Sequence, residues 1–425
     1  MPKLVSNRRR SGRWARAALG VVMLMLGAAV PAGAAEPIRI GFGMALTGAL
    51  AGAGKAALIA IQIWAEDVNA AGGLLGRKVE LVYYDDQTNA SKVPGIYTKL
   101  INVDRVDLIV SGYGSAVIAP AIPIAMNYDM VFMSLFGLAT NDDFGYDRYF
   151  QILPAGPEPR IAWSKGFFDL ALSLDPKPRT VALVGADAEF PRNAMIGARV
   201  NAERAGLKVV YDRSYPPTTV DFTPVIRSIQ AENPDVVYVA SYPPDSAGIV
   251  RAVSELGLNA ALFGGGMVGL QYASFEEALG PLLNGIVNYD FWVPEPTLKF
   301  PGIEAFLAKY QAVAADAGVD PLGYYLPPFA YANMQILGDA VEAVGKIDQD
   351  ALADYIRSHE FETVVGNIRF GPGGEWQKGR ILMVQFQGLK DNSLEQFTRP
   401  GTRVVLLPED WRSGSLITPF AKARP

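Results

Sequence analysis

The stretch from residue 38 to residue 86 constrains the fold of this chain more than any other. It begins with a short apolar strand, Ile38–Phe42, passes through a glycine-rich loop over 43–54, and continues as an amphipathic helix. Gly72-Gly73 ends that helix, and a second apolar strand covers Val79–Tyr84. Strand, crossover helix and strand form one right-handed βαβ unit, so the sheet that they begin should be parallel.

The same alternation of strands and helices recurs along the rest of the chain. Further strands are predicted at 107–111 and 131–134 in one half, and at 180–185, 208–211, 235–240 and 261–264 in the other. Segments at 149–154 and 286–290 should cross between the halves, and the chain beyond residue 400 has no regular pattern. The pattern predicts an α/β protein with two doubly wound lobes of similar topology.

The composition argues against most enzymatic chemistry. The 425 residues include no Cys and one His, His359, in a polar stretch, so a thiol nucleophile, a disulfide and a zinc site built on several histidines are excluded. The glycines at 43–48 and 52–55 lack the complete spacing of nucleotide-binding loops. Asp85 and Asp86 are more simply turn residues than a catalytic pair. We therefore predict a protein that is not an enzyme and needs neither cofactor nor metal.

The N-terminus has the features of an export signal. Arginines from Arg8 to Arg16 precede an apolar run at 17–30 that is shorter than the roughly 20 residues of a membrane-spanning helix, and small residues at 32–35 offer a cleavage site. We predict a cleaved signal peptide at 1–35 and a mature protein in the periplasm. Loss of its six basic residues takes the formal net charge from −5 to about −11, which disfavours nucleic acid as a partner.

One run of residues resembles a known family. The segment from Val68 to Leu81, preceded by Leu46-Thr47-Gly48 and followed by Tyr84-Asp85-Asp86, is similar to the leucine/isoleucine/valine-binding proteins of bacterial ABC importers. The resemblance extends over nearly all of the mature chain. It implies the type I periplasmic binding protein fold, in which two doubly wound parallel-sheet lobes are joined by a three-segment hinge. It also implies a small-molecule ligand, a membrane permease as partner and a monomeric protein.

The resemblance gives a division of the chain into lobes. We assign the signal peptide to 1–35, the N-terminal lobe to 36–153 plus 289–368, the C-terminal lobe to 154–288 plus 369–410, and a tail to 411–425. In open parallel sheets, ligands bind beyond the carboxyl ends of the strands, so loops of both lobes should face one cleft.

Two loops of the first lobe provide candidate ligand-binding residues. Glycines at 112 and 114 permit close approach of the backbone to a ligand, and amide groups that open a helix attract an anion. The resembled family binds an α-carboxylate at the matching loop, which makes Ser115 and Ala116 candidates, and Leu135 and Phe136 match its second loop. The alternative roles are a helix cap for Ser115 and packing beneath the loop for Phe136.

The second lobe provides aromatic candidates and one departure from the family. Phe190 and Tyr242 match aromatic positions whose rings close over the ligand. The acidic residue that meets the ligand ammonium in the family has no counterpart in the glycine-rich loop ending at Met267, which becomes the candidate there. A zwitterion would then have a poorly compensated ammonium, so the sequence favours an aromatic or aliphatic acid without an amino group. Replacement of the missing acid by Asp187 or Asp245 is the alternative.

The sequence therefore predicts the periplasmic substrate-binding component of an ABC importer, which captures a small carboxylate-bearing solute by lobe closure. Two alternatives stay open. One is a sensory ligand-binding protein of the same fold, and the other is an α/β enzyme.

Overall fold

The structure is a computed structural model that describes residues 35–424. Two large β-sheets form the framework of this part of the chain. The predicted signal peptide lies outside the described residues, except for its last residue. Within the described range, no helix has the length and apolar character needed to cross a membrane.

The first sheet has five strands in the order β2-β1-β3-β4-β5, all paired in parallel. They are β1 (Ile38–Met44), β2 (Val79–Asp85), β3 (Leu108–Tyr113), β4 (Phe132–Leu135) and β5 (Tyr149–Gln151). The helices between them are α1 (Ala51–Ala70), α2 (Val93–Asn102), α3 (Ser115–Ile118) and α4 (Ile122–Asn127). The predicted βαβ unit is confirmed: Ile38 is opposite Val79, and Met44 is opposite Asp85.

The second sheet repeats this order with five parallel strands, β7-β6-β8-β9-β10. They are β6 (Thr180–Ala186), β7 (Lys208–Tyr215), β8 (Val236–Ser241), β9 (Leu262–Met267) and β10 (Val287–Asp290). The accompanying helices are α5 (Pro159–Leu172), α6 (Glu189–Arg204), α7 (Thr223–Glu232), α8 (Pro243–Leu256) and α9 (Ala273–Leu279). Every residue of β3, β8 and β9 is buried, as expected for parallel strands covered by helices on both faces.

After β10 the chain returns to the first sheet and then goes back to the second. Three helices, α10 (Ile303–Ala314), α11 (Pro327–Val344) and α12 (Gln349–Ser358), precede a hairpin of β11 (Glu360–Thr363) and β12 (Gly366–Arg369). Both α10 and α11 contact α1, where Lys309 and Tyr331 bind the carboxylate of Asp67. The chain then adds β13 (Leu382–Phe386) and β14 (Arg403–Leu407) to the edge of the second sheet, antiparallel to β10 and to each other.

Two sequence expectations differ from the observed elements. Residues 287–290, predicted to cross between lobes, are hydrogen-bonded within the second sheet as β10. The expectation that the chain is irregular beyond residue 400 was wrong, because Arg403–Leu407 forms β14. That strand is short and has Pro400-Gly401 before it and Pro408 after it, so its pattern is hidden by turn residues. The predicted lobe boundaries at 288/289 and 368/369 fall inside β10 and β12, and the division into lobes stays a prediction.

Candidate functional site

An aromatic cleft lies where the carboxyl ends of the two sheets meet. It encloses a cavity of about 20 Å³, close to the space that one water molecule needs. The cavity is lined by Tyr113, Gly114, Ser115, Phe136, Leu138, Leu153, Trp163, Phe190, Tyr242, Val268, Tyr289 and Tyr325. Four of the predicted site residues are in this set, namely Ser115, Phe136, Phe190 and Tyr242. The cavity therefore lies beyond the carboxyl ends of the strands, where the rule for parallel sheets predicts a ligand.

Ser115 brings a hydroxyl group to the cavity from the end of β3. The preceding residue, Gly114, has φ +98°, a conformation that glycine adopts at little cost. The backbone N–H of Leu138 donates to Ser115 Oγ over 2.9 Å. The oxygen keeps a second lone pair and its own hydrogen, so the hydroxyl group can still donate to a ligand. Ser115 is the first residue of α3 and does not occupy the N-cap position, so the alternative of a simple helix cap does not describe it.

Phe136 fills much of the cleft from the first-sheet side. Its ring centroid lies 4.9 Å from that of Phe291, 5.4 Å from Tyr325 and 5.2 Å from Phe329. The backbone has φ +64°, in the left-handed region that a bulky side chain adopts at a cost of roughly 1–3 kcal/mol. The ring therefore both packs beneath the loop and lines the cavity, so the two roles considered from the sequence coexist.

The second-sheet side of the cleft is formed by aromatic rings in edge-to-face and tilted contact. Phe190 lies 5.2 Å from Trp163 and 5.8 Å from Tyr242, and Trp163 lies 4.3 Å from Tyr289, between ring centroids. The hydroxyl oxygen of Tyr242 is buried and has no hydrogen-bond partner among the described residues. Such an oxygen is costly to bury unless something else satisfies it, so it marks a polar point in an otherwise apolar wall.

The residues that line the cavity carry no charged side chain. Neither acid considered as a replacement for the missing carboxylate is among them. Asp187 is exposed and bound to Arg192 over 2.9 Å. Asp245 accepts a hydrogen bond from Tyr215 over 3.2 Å, and burial raises the pKa of Asp245 to about 6. An ammonium group in this cavity would therefore meet aromatic faces and hydroxyl groups but no carboxylate.

Three predicted site residues do not line the cavity, namely Ala116, Leu135 and Met267. Leu135 is buried, and its N–H donates to Ser111 Oγ over 2.7 Å. Met267 ends β9 with its side chain fully buried, and the next residue, Val268, reaches the cavity instead. Val268 begins a short 3-10 helix after β9, where strand alternation no longer applies, so its side chain lines the cavity while that of Met267 stays buried in the strand.

Close packing against the backbone explains why glycines precede Met267. Gly264 and Gly265 have φ of +127° and +105° inside β9. A Cβ atom on Gly264 would lie 2.1 Å from the carbonyl oxygen of Val287, and one on Gly265 would lie 2.5 Å from the ring of Tyr238. Glycine is needed there because β10 and Tyr238 pack directly against the backbone.

The structure adds five aromatic residues that the sequence reasoning missed: Tyr113, Trp163, Tyr272, Tyr289 and Tyr325. The hydroxyl oxygens of Tyr113 and Tyr272 are 3.0 Å apart, and so are those of Tyr289 and Tyr325. Tyr113 belongs to the loop already singled out and was within reach of the sequence argument. The others come from α5, β10 and two connecting segments, whose places at the cleft depend on the tertiary fold.

Comparison with known proteins agrees with the fold. The periplasmic binding protein family profile matches residues 37–387. The leucine-, isoleucine-, valine-, threonine- and alanine-binding protein of Pseudomonas aeruginosa is 25% identical over 362 residues, covering 84% of this chain and 92% of that protein.

Two solved structures show the same fold. The branched-chain amino acid transporter substrate-binding protein of Streptococcus pneumoniae, in complex with isoleucine, has a TM-score of 0.70 at 19% identity and covers 84% of this chain and 97% of that one. A solute-binding protein from R. palustris, in complex with benzoate, has a TM-score of 0.70 at 17% identity and covers 87% of this chain and 95% of that one. The resemblance drawn from the βαβ segment and the type I fold are thus confirmed.

Proteins of this family bind solutes and are not enzymes. Among the described residues, no group of three or more His, Asp or Glu side chains is placed to hold a metal ion. The chain belongs to the periplasmic binding protein family, as a substrate-binding protein of the branched-chain amino acid ABC transporter type.

Proposed function

We propose that this protein captures a small aromatic carboxylate for an ABC importer and buries it by closure of the two lobes. The observation that carries the proposal is the uncharged aromatic cleft, which offers hydroxyl donors but no carboxylate. A carboxylate ligand needs donors, and Ser115 and Tyr242 each have an O–H group without an acceptor among the described residues. The ring of Phe136 on one side and the rings of Phe190 and Tyr242 on the other supply apolar area for a flat ligand.

An amino acid would fit this cleft less well than an acid without an ammonium group. Burying an ammonium without a counter-charge is costly, and aromatic faces compensate only part of that cost. The two solved relatives hold isoleucine in one case and benzoate in the other, so the fold accommodates both kinds of carboxylate. The lining of this cleft favours the second kind.

Ligand entry requires a more open cleft. A cavity of about 20 Å³ is far too small for an aromatic acid. Polar contacts hold the two sides together: Asn193 Nδ2 donates to the Leu138 carbonyl over 3.1 Å, and Arg160 lies 3.3 Å from Asp142. These few contacts can open and re-form as the lobes separate and close about the segments that connect them.

The remaining features of the proposal come from the sequence and the family. A signal peptide at 1–35 would deliver the mature protein to the periplasm as a monomer, and a membrane permease would receive the ligand. The lobes would comprise 36–153 plus 289–368 and 154–288 plus 369–410, with a tail at 411–425.

Isothermal titration calorimetry tests the ligand class. The protein, refolded from denaturant to remove any bound ligand, is titrated with benzoate and, separately, with leucine. Binding of benzoate and not of leucine is expected. Tight binding of leucine without binding of benzoate would contradict the proposal and restore the amino acid as the ligand. Conversion of either compound would contradict the role of a binding protein.

A further inference from the structure

Four tyrosine hydroxyl groups form a buried cluster beside the cavity. Tyr113 ends β3, Tyr272 precedes α9, Tyr289 lies in β10, and Tyr325 precedes α11. Tyr113 bonds to Tyr272 and Tyr289 bonds to Tyr325, each over 3.0 Å between oxygens. The ring centroids of Tyr272 and Tyr325 are 5.5 Å apart, so the two pairs lie side by side.

The hydrogens of this cluster cannot all find acceptors inside it. Each phenol has one hydrogen to donate, and each pair contains one hydrogen bond. In each pair one O–H hydrogen is therefore left over, and the oxygen that donates keeps its free lone pairs. Burial raises the pKa of Tyr113, so these groups are neutral phenols at neutral pH.

Three members of the cluster, Tyr113, Tyr289 and Tyr325, line the same cavity as Ser115 and Tyr242. A hydroxyl group on the ligand could accept the spare hydrogen and donate to the free lone pair, whichever way the hydrogens of the cluster run. A methyl group or a ring C–H there would leave both unmatched, which is the costly outcome in a buried site.

We propose that the tyrosine cluster is a second polar subsite, and that the preferred ligand is an aromatic acid carrying a ring hydroxyl group. This inference rests on the proposed function, because it assumes that the carboxylate of the ligand binds in the same cleft. It goes further by assigning to Tyr113, Tyr272, Tyr289 and Tyr325 the selection of one aromatic acid over another.

Calorimetric titration with benzoate and 4-hydroxybenzoate tests the subsite in the full-length protein and in two isosteric variants, Tyr113→Phe and Tyr272→Phe. The unaltered protein is expected to bind 4-hydroxybenzoate about five to ten times more tightly than benzoate, the usual effect of one hydrogen bond. Both variants should lose most of this preference, and circular dichroism checks that both fold. Tyr272 does not line the cavity, so its variant removes only a link of the cluster.

Tyr97→Phe is the matched control. Tyr97 is equally buried, but its hydroxyl donates to the carbonyl of Val110 over 2.8 Å, and it does not line the cavity. This variant should keep the preference. Equal affinities of the unaltered protein for both acids, or a preference that persists in both cluster variants, would overturn the subsite and leave the proposed function standing. Failure of both acids to bind would overturn the aromatic-acid proposal itself.

Discussion

The phenolic oxygens of Tyr113 and Tyr272 lie 3.0 Å apart, and this hydrogen bond joins a strand of the first sheet to a loop of the second. Tyr113 is the last residue of β3 in the first sheet, and Tyr272 lies between β9 and β10 of the second. A neutral hydrogen bond of this kind contributes about 1 kcal/mol, so a ligand that offers an equivalent bond can replace it at little net cost. The contact is therefore a weak link across the cleft that a ligand can replace.

Removal of a ring from the second-sheet wall should weaken ligand binding without unfolding the protein. Tyr242→Ala and Phe190→Ala each remove an aromatic side chain that lines the cavity. We expect the Kd of benzoate to rise about tenfold or more in each variant, since each ring supplies stacking area. Calorimetry gives the Kd, and circular dichroism checks the fold.

Tyr128→Ala is the control for this experiment, because Tyr128 is 39% exposed at the end of α4 and does not line the cavity. Its affinity should equal that of the unaltered protein. Unchanged affinity in both cleft variants would contradict the placement of the site.

Arg403 should be the arginine whose loss costs the most stability. It is fully buried on β14, 3.2 Å from Glu276 and 3.5 Å from Asp290. Arg403→Met leaves two buried carboxyl groups without their cation, so the free energy of unfolding in urea should fall by about 3–5 kcal/mol.

Arg399→Met provides a matched comparison four residues earlier. Arg399 pairs with Glu395 on the surface, with both side chains about 70% exposed. This variant should change the free energy of unfolding by no more than about 0.5 kcal/mol. Similar losses for both arginines would show that burial of the Arg403 cluster does not matter.

Stability should fall as the pH rises through the neutral range because of Glu276. Burial, together with the repulsion of Asp290 and Asp320, raises the pKa of Glu276 to about 8 despite the attraction of Arg403. In the unfolded chain the group titrates near its ordinary value of 4.5. Between these two values the folded protein holds a proton that the unfolded chain has released, so the free energy of unfolding decreases with rising pH, by at most about 1.4 kcal/mol per pH unit.

Urea unfolding of Glu276→Gln at several values between pH 5 and pH 8 isolates this effect. As the pH rises, the unaltered protein should lose unfolding free energy relative to the Glu276→Gln variant. Glu277→Gln, at the exposed neighbouring position, should follow the unaltered protein. A difference between the unaltered protein and Glu276→Gln that does not vary with pH would show that Glu276 is already ionised.

The C-terminal segment should stabilise the second sheet. Phe420 is buried against Phe263, with ring centroids 5.2 Å apart, and the Gln385 side chain of β13 bonds to the backbone of Ile417. Phe420→Ala should lower the free energy of unfolding by about 3 kcal/mol or more, as loss of a buried ring does. Lys422→Ala, two residues further on and exposed, should have little effect. A Phe420 variant as stable as the Lys422 variant would show that the segment does not pack in solution.

Much of the fold was accessible from local sequence patterns. The βαβ unit at the start of the described chain and most of the parallel strands of both sheets lie within a few residues of their predicted positions, because alternation of apolar runs reports local structure directly. β14 was missed because a five-residue strand between proline-containing turns carries too short a pattern. The charge of Arg403 within it gives no hint of burial, since its carboxylate partners lie more than a hundred positions away in the sequence.

From the sequence alone, the carboxyl ends of the parallel strands predicted which loops face the cleft, and the family resemblance implied Ser115, Phe136, Phe190 and Tyr242 as candidates there. The structure places these four residues around one cavity. Only the tertiary structure decided what else reaches it. Trp163, Tyr289 and Tyr325 arrive from a helix, a strand and a connection that are far apart in the chain, and packing between sheets brings them together. Periodicity reports which face of an element is buried, but it carries no information about which distant element covers that face.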